Sequence, residues 1–216
     1  MGLRLVFLGP PGVGKGTQAV RLAAHRGIPH ISTGDILRAE VSRGTDLGRQ
    51  ARGYMDAGEL VPDDLVVAMV ARRLEQDDCR AGYLLDGFPR TMGQATAFEE
   101  QMGDGGAGVD QVLYFTAPDA VLIERLGGRR LCPNCQAVYH VQTMPPKDDN
   151  VCDRCGTELI QREDDRPEAI KQRLAVYRAE TEELIEHYRR AGLLVEIDGS
   201  GPVDQVAGAV RRAVDE

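Results

Sequence analysis

Close to the N-terminus the chain reads Gly9-Pro10-Pro11-Gly12-Val13-Gly14-Lys15-Gly16-Thr17. Glycines at that density let backbone N–H groups turn inward around phosphate oxygens, and the lysine adds a mobile positive charge for the outer phosphates. The common phosphate-loop pattern places Ser or Thr directly after the lysine, whereas here Gly16 intervenes before Thr17. A dinucleotide-binding turn is a poor fit, since Gly12, Gly14 and Gly16 do not give the spacing G-x-G-x-x-G. The bland alternative is a glycine-rich strand-to-helix turn with no ligand, but it leaves the lysine without a use.

A second group of candidates runs from Ile31 to Arg38, where Thr33 lies near a helix start and Arg38 about one turn further on, so both can face one ligand. Thr33 or Asp35 acting only as an N-cap, with Arg38 solvated, is the alternative from the residues alone. A third stretch, Tyr83 to Thr91, passes from an apolar strand into a turn. Asp86 at that strand end is placed to partner Mg²⁺ through metal-bound water, and Arg90 can hold a phosphate through two hydrogen bonds. Gln94, one helical turn beyond, offers one acceptor and one donor, the pair needed for the Watson–Crick edge of adenine; a surface glutamine without a partner is its alternative.

Arg125, Arg129, Arg162 and Arg173 flank a cysteine-rich stretch on both sides, with Arg130 either joining them or solvated. Individually they read as exposed helix arginines; as a set they suit the charge neutralisation that phosphoryl transfer needs more than it needs a base. Asp164 and Asp165 follow Arg162 and can pair with these arginines. Cys132-x-x-Cys135 and Cys152-x-x-Cys155, with 16 residues between the pairs, match a four-thiolate structural Zn²⁺ site. Disulfides, iron–sulfur ligation and a redox pair are the competing uses. His140 and Asp153 are nearby but surplus, and Cys79 reads as a small buried apolar residue.

The elements that must position these groups alternate. Leu3–Leu8 precedes a helix from Lys15; Ile28–Ser32 reads as a strand; helical periods cover Asp35–Ser42, Leu47–Asp56 and Pro62–Gln76. Tyr83–Leu85, Val109–Phe115 and Leu193–Ile197 are apolar runs followed by helical stretches from Thr91, over Pro118–Arg130 and over Val203–Val214. A further helical period runs from Pro167 to about Gly192. This βαβ alternation predicts an α/β fold with five parallel strands, doubly wound. Between Leu131 and Gln161 the helical period vanishes, and the stretch is too short for a core of its own without a staple.

These motifs resemble the adenylate kinase family, whose loop looks like Gly9–Gln18 and whose likeness extends from Leu3 to Val206. The resemblance implies a P-loop core over residues 1–31, 62–127 and 166–216, an AMP-binding insertion over 32–61 and a zinc-containing lid over 128–165. It implies reversible transfer between Mg·ATP and AMP to give two ADP. ATP would meet Gly12 to Thr17, Arg129, Val138, Tyr139 and Gly201, with Arg125 stacking near its base. AMP would meet Thr33, Arg38, Glu59, Leu60, Val61, Gly87, Phe88, Pro89, Arg90 and Gln94, and Arg162 and Arg173 would sit at the junction. Lys15, Asp86, Arg90, Arg125, Arg129, Arg162 and Arg173 are the expected catalytic set. Gly93 is a departure, since many relatives carry proline there.

With 216 residues, 42% hydrophobic and 28% charged, the chain can bury one substantial core. A net charge of −8 argues against nucleic acid or an anionic membrane as partner. No leader or apolar span of membrane length is seen, so a cytoplasmic enzyme is expected, monomeric as the family mostly is. The rival readings are a kinase for UMP or CMP, a GTP-using kinase, and a nucleotide-dependent switch whose zinc ribbon binds nucleic acid.

Overall fold

The computed structural model describes residues 2–102 and 108–215. Five parallel strands form the central sheet: β1 (Leu3–Leu8), β2 (His30–Ser32), β3 (Gly82–Asp86), β4 (Gln111–Thr116) and, after a small separate sheet, β7 (Leu194–Asp198), in the spatial order β2-β3-β1-β4-β7. The small sheet pairs β5 (Arg129–Leu131) with β6 (Val138–His140) antiparallel. The helices are α1 (Lys15–Arg26), α2 (Thr33–Arg43), α3 (Asp46–Ala57), α4 (Asp63–Leu74), α5 (Met92–Met102), α6 (Asp119–Gly127), α7 (Pro167–Arg190) and α8 (Val203–Asp215).

The near-continuous apolar run of β1 is explained by burial on both faces. Alternate residues part company: Val6 and Leu8 join a core with Leu85, Phe88 and Phe98, while Leu5 and Phe7 join another with Leu113, Phe115 and Leu122. Helices α4 and α5 cover the first side, α1, α6 and α8 the second. The long α7 serves both, contributing Ile170 and Leu174 to one core and Leu184 and Tyr188 to the other. No helix among the described residues is long and apolar enough to cross a membrane.

Two expected elements end differently. The strand expected over Ile28–Ser32 is only His30–Ser32. The helix expected over Pro118–Arg130 stops at Gly127, and Arg129 and Arg130 lie on β5, opposite His140 and Tyr139. Gly127 and Gly128 end the helix, and Gly128 carries no Cβ because an added one would stand 2.3 Å from His140 Nε2.

The 128–165 stretch has its own small core of Cys132, Ala137, Tyr139, Cys152 and Leu159. The register of the main sheet sets the functional edge: Phe7 lies opposite Asp86 and Ser32 opposite Asp86 on the other side. The turns after β1, β2 and β3 therefore emerge together at the carboxyl ends of the strands, where open α/β sheets bind ligands.

Candidate functional site

The loop from Gly9 to Gly14 folds around its glycines. Gly12 has φ 85° and no room for a side chain, a Cβ falling 2.8 Å from Leu126 Cγ. Gly14, at φ 102°, stands at the N-terminus of α1 with no side-chain cap, which leaves the first-turn N–H groups to an incoming anion. Lys15 Nζ folds back to donate to the Gly9 and Pro10 carbonyls at 2.6 and 2.9 Å. Burial, followed by repulsion from Arg90, Arg173 and Arg129 and against attraction from Asp86, pulls this ammonium down to about 7. Asp86 closes the floor: a Cβ on Gly16 would sit 3.3 Å from its Oδ2, and His30 Nε2 lies 3.2 Å from the same oxygen.

Helix α2 is capped by Ser32, whose Oγ accepts the Asp35 N–H at 3.2 Å. Thr33 is thus free of capping and donates its hydroxyl to the Gly87 carbonyl at 2.9 Å, tying the start of α2 to the turn after β3. Arg38 pairs with Asp35 at 2.5 Å, and its Nε is buried with no protein acceptor. In the turn itself the Phe88–Pro89 peptide is cis, Phe88 is fully buried, and Arg90 Nε donates to the Gly87 carbonyl at 2.7 Å. Gln94, also buried, accepts the Arg90 N–H on Oε1 and donates from Nε2 to Asp63.

Arg129 grips the wholly buried Asp165 through two bonds of 2.7 and 2.5 Å, and Arg173 reaches the same carboxylate at 3.0 Å. Asp164 pairs with Arg173 at 3.1 Å. Arg162 is depressed below the ordinary arginine value by burial and by the charges of Arg38 and Arg129, and its Nε is buried without a protein acceptor. Among the described residues, six basic groups (Lys15, Arg38, Arg90, Arg129, Arg162 and Arg173) act on one another against four carboxylates, Asp35, Asp86, Asp164 and Asp165, a surplus of two positive charges when Lys15 is protonated and one when it is not. A pocket so charged, with unmet donors, fits a polyanion.

Arg125 is used differently. Its guanidinium donates to the carbonyls of Gly199, Ser200, Gly201 and Val13 at 2.7 to 3.3 Å, clamping the turn after β7 to the phosphate loop. Arg130 stays with local carbonyls. Val138 is exposed, but the Tyr139 side chain turns into its own small core, its hydroxyl 3.5 Å from Cys152 Sγ and accepting the Asp153 N–H. Tyr139 can offer a nucleotide only its backbone. Thr17 is exposed and Val61 buried; Glu59 lines a crevice with Glu163, Arg166 and Glu168.

The four paired thiols converge, all Sγ atoms within 4.8 Å of one another. Tetrahedral zinc with Zn–S of about 2.3 Å needs sulfurs about 3.8 Å apart, so the donors fit. Hydrogen bonding by Thr157 holds the Cys155 thiol down to about 6, and Tyr139 lowers Cys152 in the same sense. His140 is occupied elsewhere, its Nδ1 accepting the N–H groups of Gln142 and Thr143, and Asp153 accepts the Lys147 N–H. Cys79 is buried in the main core, as its isolation suggests, and takes an Arg73 N–H on its sulfur.

Sequence reasoning passed over Asp63, which touches Gln94 across 31 positions, and Thr181, whose hydroxyl donates to the Arg90 carbonyl at 2.9 Å. Pro62-Asp63-Asp64 carries only a helix-start signal. Thr181 sits on an apolar helix face, where a buried polar residue needs a partner; that was its one available sign.

A family profile described as Adenylate kinase matches residues 7–193. The chain is 50% identical over 204 residues to an adenylate kinase of Archaeoglobus fulgidus, covering 94% of each chain. It is 51% identical over 212 residues to one of Caldicellulosiruptor saccharolyticus, covering 98% of this chain and 99% of that one. With one of Symbiobacterium thermophilum it shares 49% identity over 212 residues, 98% of both.

Proposed function

Since the chain belongs to the adenylate kinase family, a group of nucleoside monophosphate kinases, we propose that it transfers a phosphoryl group between ATP and AMP, with the basic cluster of this site holding both phosphate chains. The observation that carries the reading is the surplus of positive charge at the joint edge of β1, β2 and β3, with Arg38 Nε and Arg162 Nε buried and unmet. Phosphoryl transfer passes through a loose transition state whose charge lies on equatorial oxygens, so preorganised cations lower the barrier where a base would add little.

In this reading the Gly12–Thr17 loop holds the donor phosphates through inward N–H groups, and Lys15 leaves the Gly9 and Pro10 carbonyls to reach the transferred group. Arg38 and Arg90 hold the AMP phosphate, with Thr33, Gly87 and Pro89 forming the wall around it. Arg129, Arg162 and Arg173 join donor to acceptor. Arg125 shapes the Gly201 turn against which the donor base lies, and Gln94 reads the acceptor base. Mg²⁺ arriving with ATP would be held by Asp86 and Thr17, and supplies further neutralisation of phosphate charge. Zinc held by Cys132, Cys135, Cys152 and Cys155 supplies structure alone, since four thiolates leave no open position.

The 128–165 stretch acts as a lid: Arg129 enters on its first strand and Arg162 on its last segment, so its closure completes the cluster and excludes water. Residues 32–61 form the corresponding acceptor-side cover, with 1–31, 62–127 and 166–216 as core.

The test is ADP formation from Mg·ATP with AMP, UMP, CMP or GMP in parallel, with Lys15→Met as blank. Turnover with AMP alone is expected, and loss of roughly 10³-fold or more in the variant. Equal turnover with UMP or CMP would overturn the acceptor assignment, and a preference for GTP in place of ATP the donor assignment.

A further inference from the structure

The amide of Gln94 is held at both ends by the protein before any nucleotide arrives. Its Oε1 accepts the Arg90 backbone N–H at 2.8 Å, and its Nε2 donates to Asp63 Oδ1 at 2.8 Å. The other oxygen of that carboxylate accepts the Thr91 hydroxyl at 2.7 Å, and Thr91 Oγ1 in turn accepts the Gln94 backbone N–H at 3.0 Å. The ring of contacts is closed. Arg90 is itself immobilised, its carbonyl taking the Thr181 hydroxyl from α7 and its Nε bound to the Gly87 carbonyl. Asp63 owes its place to the start of α4, and Gly93 allows its approach, since a Cβ there would fall 2.8 Å from Asp63 Oδ2.

A carboxylate only accepts hydrogen bonds and a peptide N–H only donates. The two anchors therefore suit one orientation of the amide. Reversed, the amide nitrogen would face the Arg90 N–H and the amide oxygen would face the carboxylate, with two repulsive contacts in a buried site. In the anchored orientation one N–H of Nε2 and one lone pair of Oε1 are left for a ligand. Adenine presents an amino donor beside a ring-nitrogen acceptor, the complement of that pair. A 6-oxopurine presents a carbonyl acceptor beside a ring N–H donor, which opposes it at both positions.

We infer that Asp63 is a positioning residue that fixes the Gln94 amide, and thereby makes the acceptor site select adenine over 6-oxopurine monophosphates. This rests on the proposed role of Gln94 as reader of the acceptor base. Asn at position 63 has the same shape but can donate as well as accept, so it relaxes the constraint without opening a hole.

The experiment compares kcat/KM for AMP and for inosine 5′-monophosphate in the unaltered protein, Asp63→Asn, Asp63→Ala and Gln94→Ala, with melting temperatures recorded for each. In both Asp63 variants the AMP-to-inosine ratio is expected to fall by about tenfold or more, through KM for AMP, while KM for ATP stays within about twofold. Asp63→Ala keeps the test open if the asparagine variant does not fold. A ratio that moves in Gln94→Ala but not in the Asp63 variants overturns the inference and leaves the reading of Gln94 standing. A ratio unmoved in all three variants overturns that reading and the inference with it. Lower melting temperature with both substrates slowed in parallel assigns Asp63 a purely structural place and also overturns it.

Discussion

At the residue scale the site is governed by charges held where water is scarce. Lys15 sits at about 7 because burial, and then its arginine neighbours, disfavour its charged form. A bound triphosphate reverses that balance and restores the charge, so the complex holds a proton that the free enzyme above pH 7 does not. Affinity for Mg·ATP must then rise as pH falls toward 7, with proton uptake approaching one per site near pH 8. Calorimetric titration in buffers of different ionisation heat measures this directly, and Lys15→Met should abolish it; equal uptake in both proteins would show that another group is responsible. Asp165 presents the opposite case, a fully buried anion bound by Arg129 and Arg173. Its removal leaves Arg129 without a carboxylate and Arg173 with Asp164 alone, so Asp165→Ala should cost about 3–5 kcal/mol. For a chain of this size that lowers the melting temperature by roughly 6–20 °C. Asp204→Ala, which breaks the exposed pair with Arg21, should move it by less than about 2 °C in the same scan.

At the element scale the packing of α2 on α3 depends on how closely the two helices approach. A Cβ on Gly48 of α3 would lie 2.1 Å from the Glu40 carbonyl oxygen of α2 and 2.5 Å from the Val41 nitrogen. These are backbone atoms that cannot rotate away, so Gly48→Ala must spread α2 from α3 at a cost of about 1–3 kcal/mol. Because α2 carries Thr33 and Arg38, KM for AMP should rise while KM for ATP stays put; steady-state kinetics with each substrate varied in turn decides it, and a parallel rise in both would refute a local effect. The helices were legible because an apolar period of 3.6 survives in single segments such as Pro167–Arg190, and the strands because short apolar runs such as Leu3–Leu8 end at turn signals. The glycine loop and the cysteine pairs were legible because their chemistry is local. What stayed hidden is what depends on distant pairing: Ser32 rather than Thr33 or Asp35 as cap of α2, Arg129 on a strand rather than a helix, Arg125 spent on carbonyls of the 199–201 turn, and the grip of Asp63 on Gln94. No spacing within one segment encodes a contact across 31 or 74 positions.

At the scale of the whole molecule, an acidic chain with net charge −8 still gathers six basic groups around one site, and a stretch of about 38 residues brings two of them there. That stretch buries only a handful of apolar side chains around Cys132 and Cys152, too few to order it without a cross-link. Four thiols within 4.8 Å can all ionise only if a cation neutralises them, so a metal held there would be coupled to the fold of this stretch. One zinc per chain is therefore expected by elemental analysis. Cys132→Ser should lower the melting temperature more than it lowers the rate at moderate temperature, because Arg129 and Arg162 still arrive through β5 and the segment before α7 whenever the stretch is folded. Two measurements oppose each other here: metal content with melting on one side, turnover at moderate temperature on the other. A metal-free protein with unchanged melting would remove the structural role, and a fully folded Cys132→Ser protein without any turnover would place the metal in the chemistry instead.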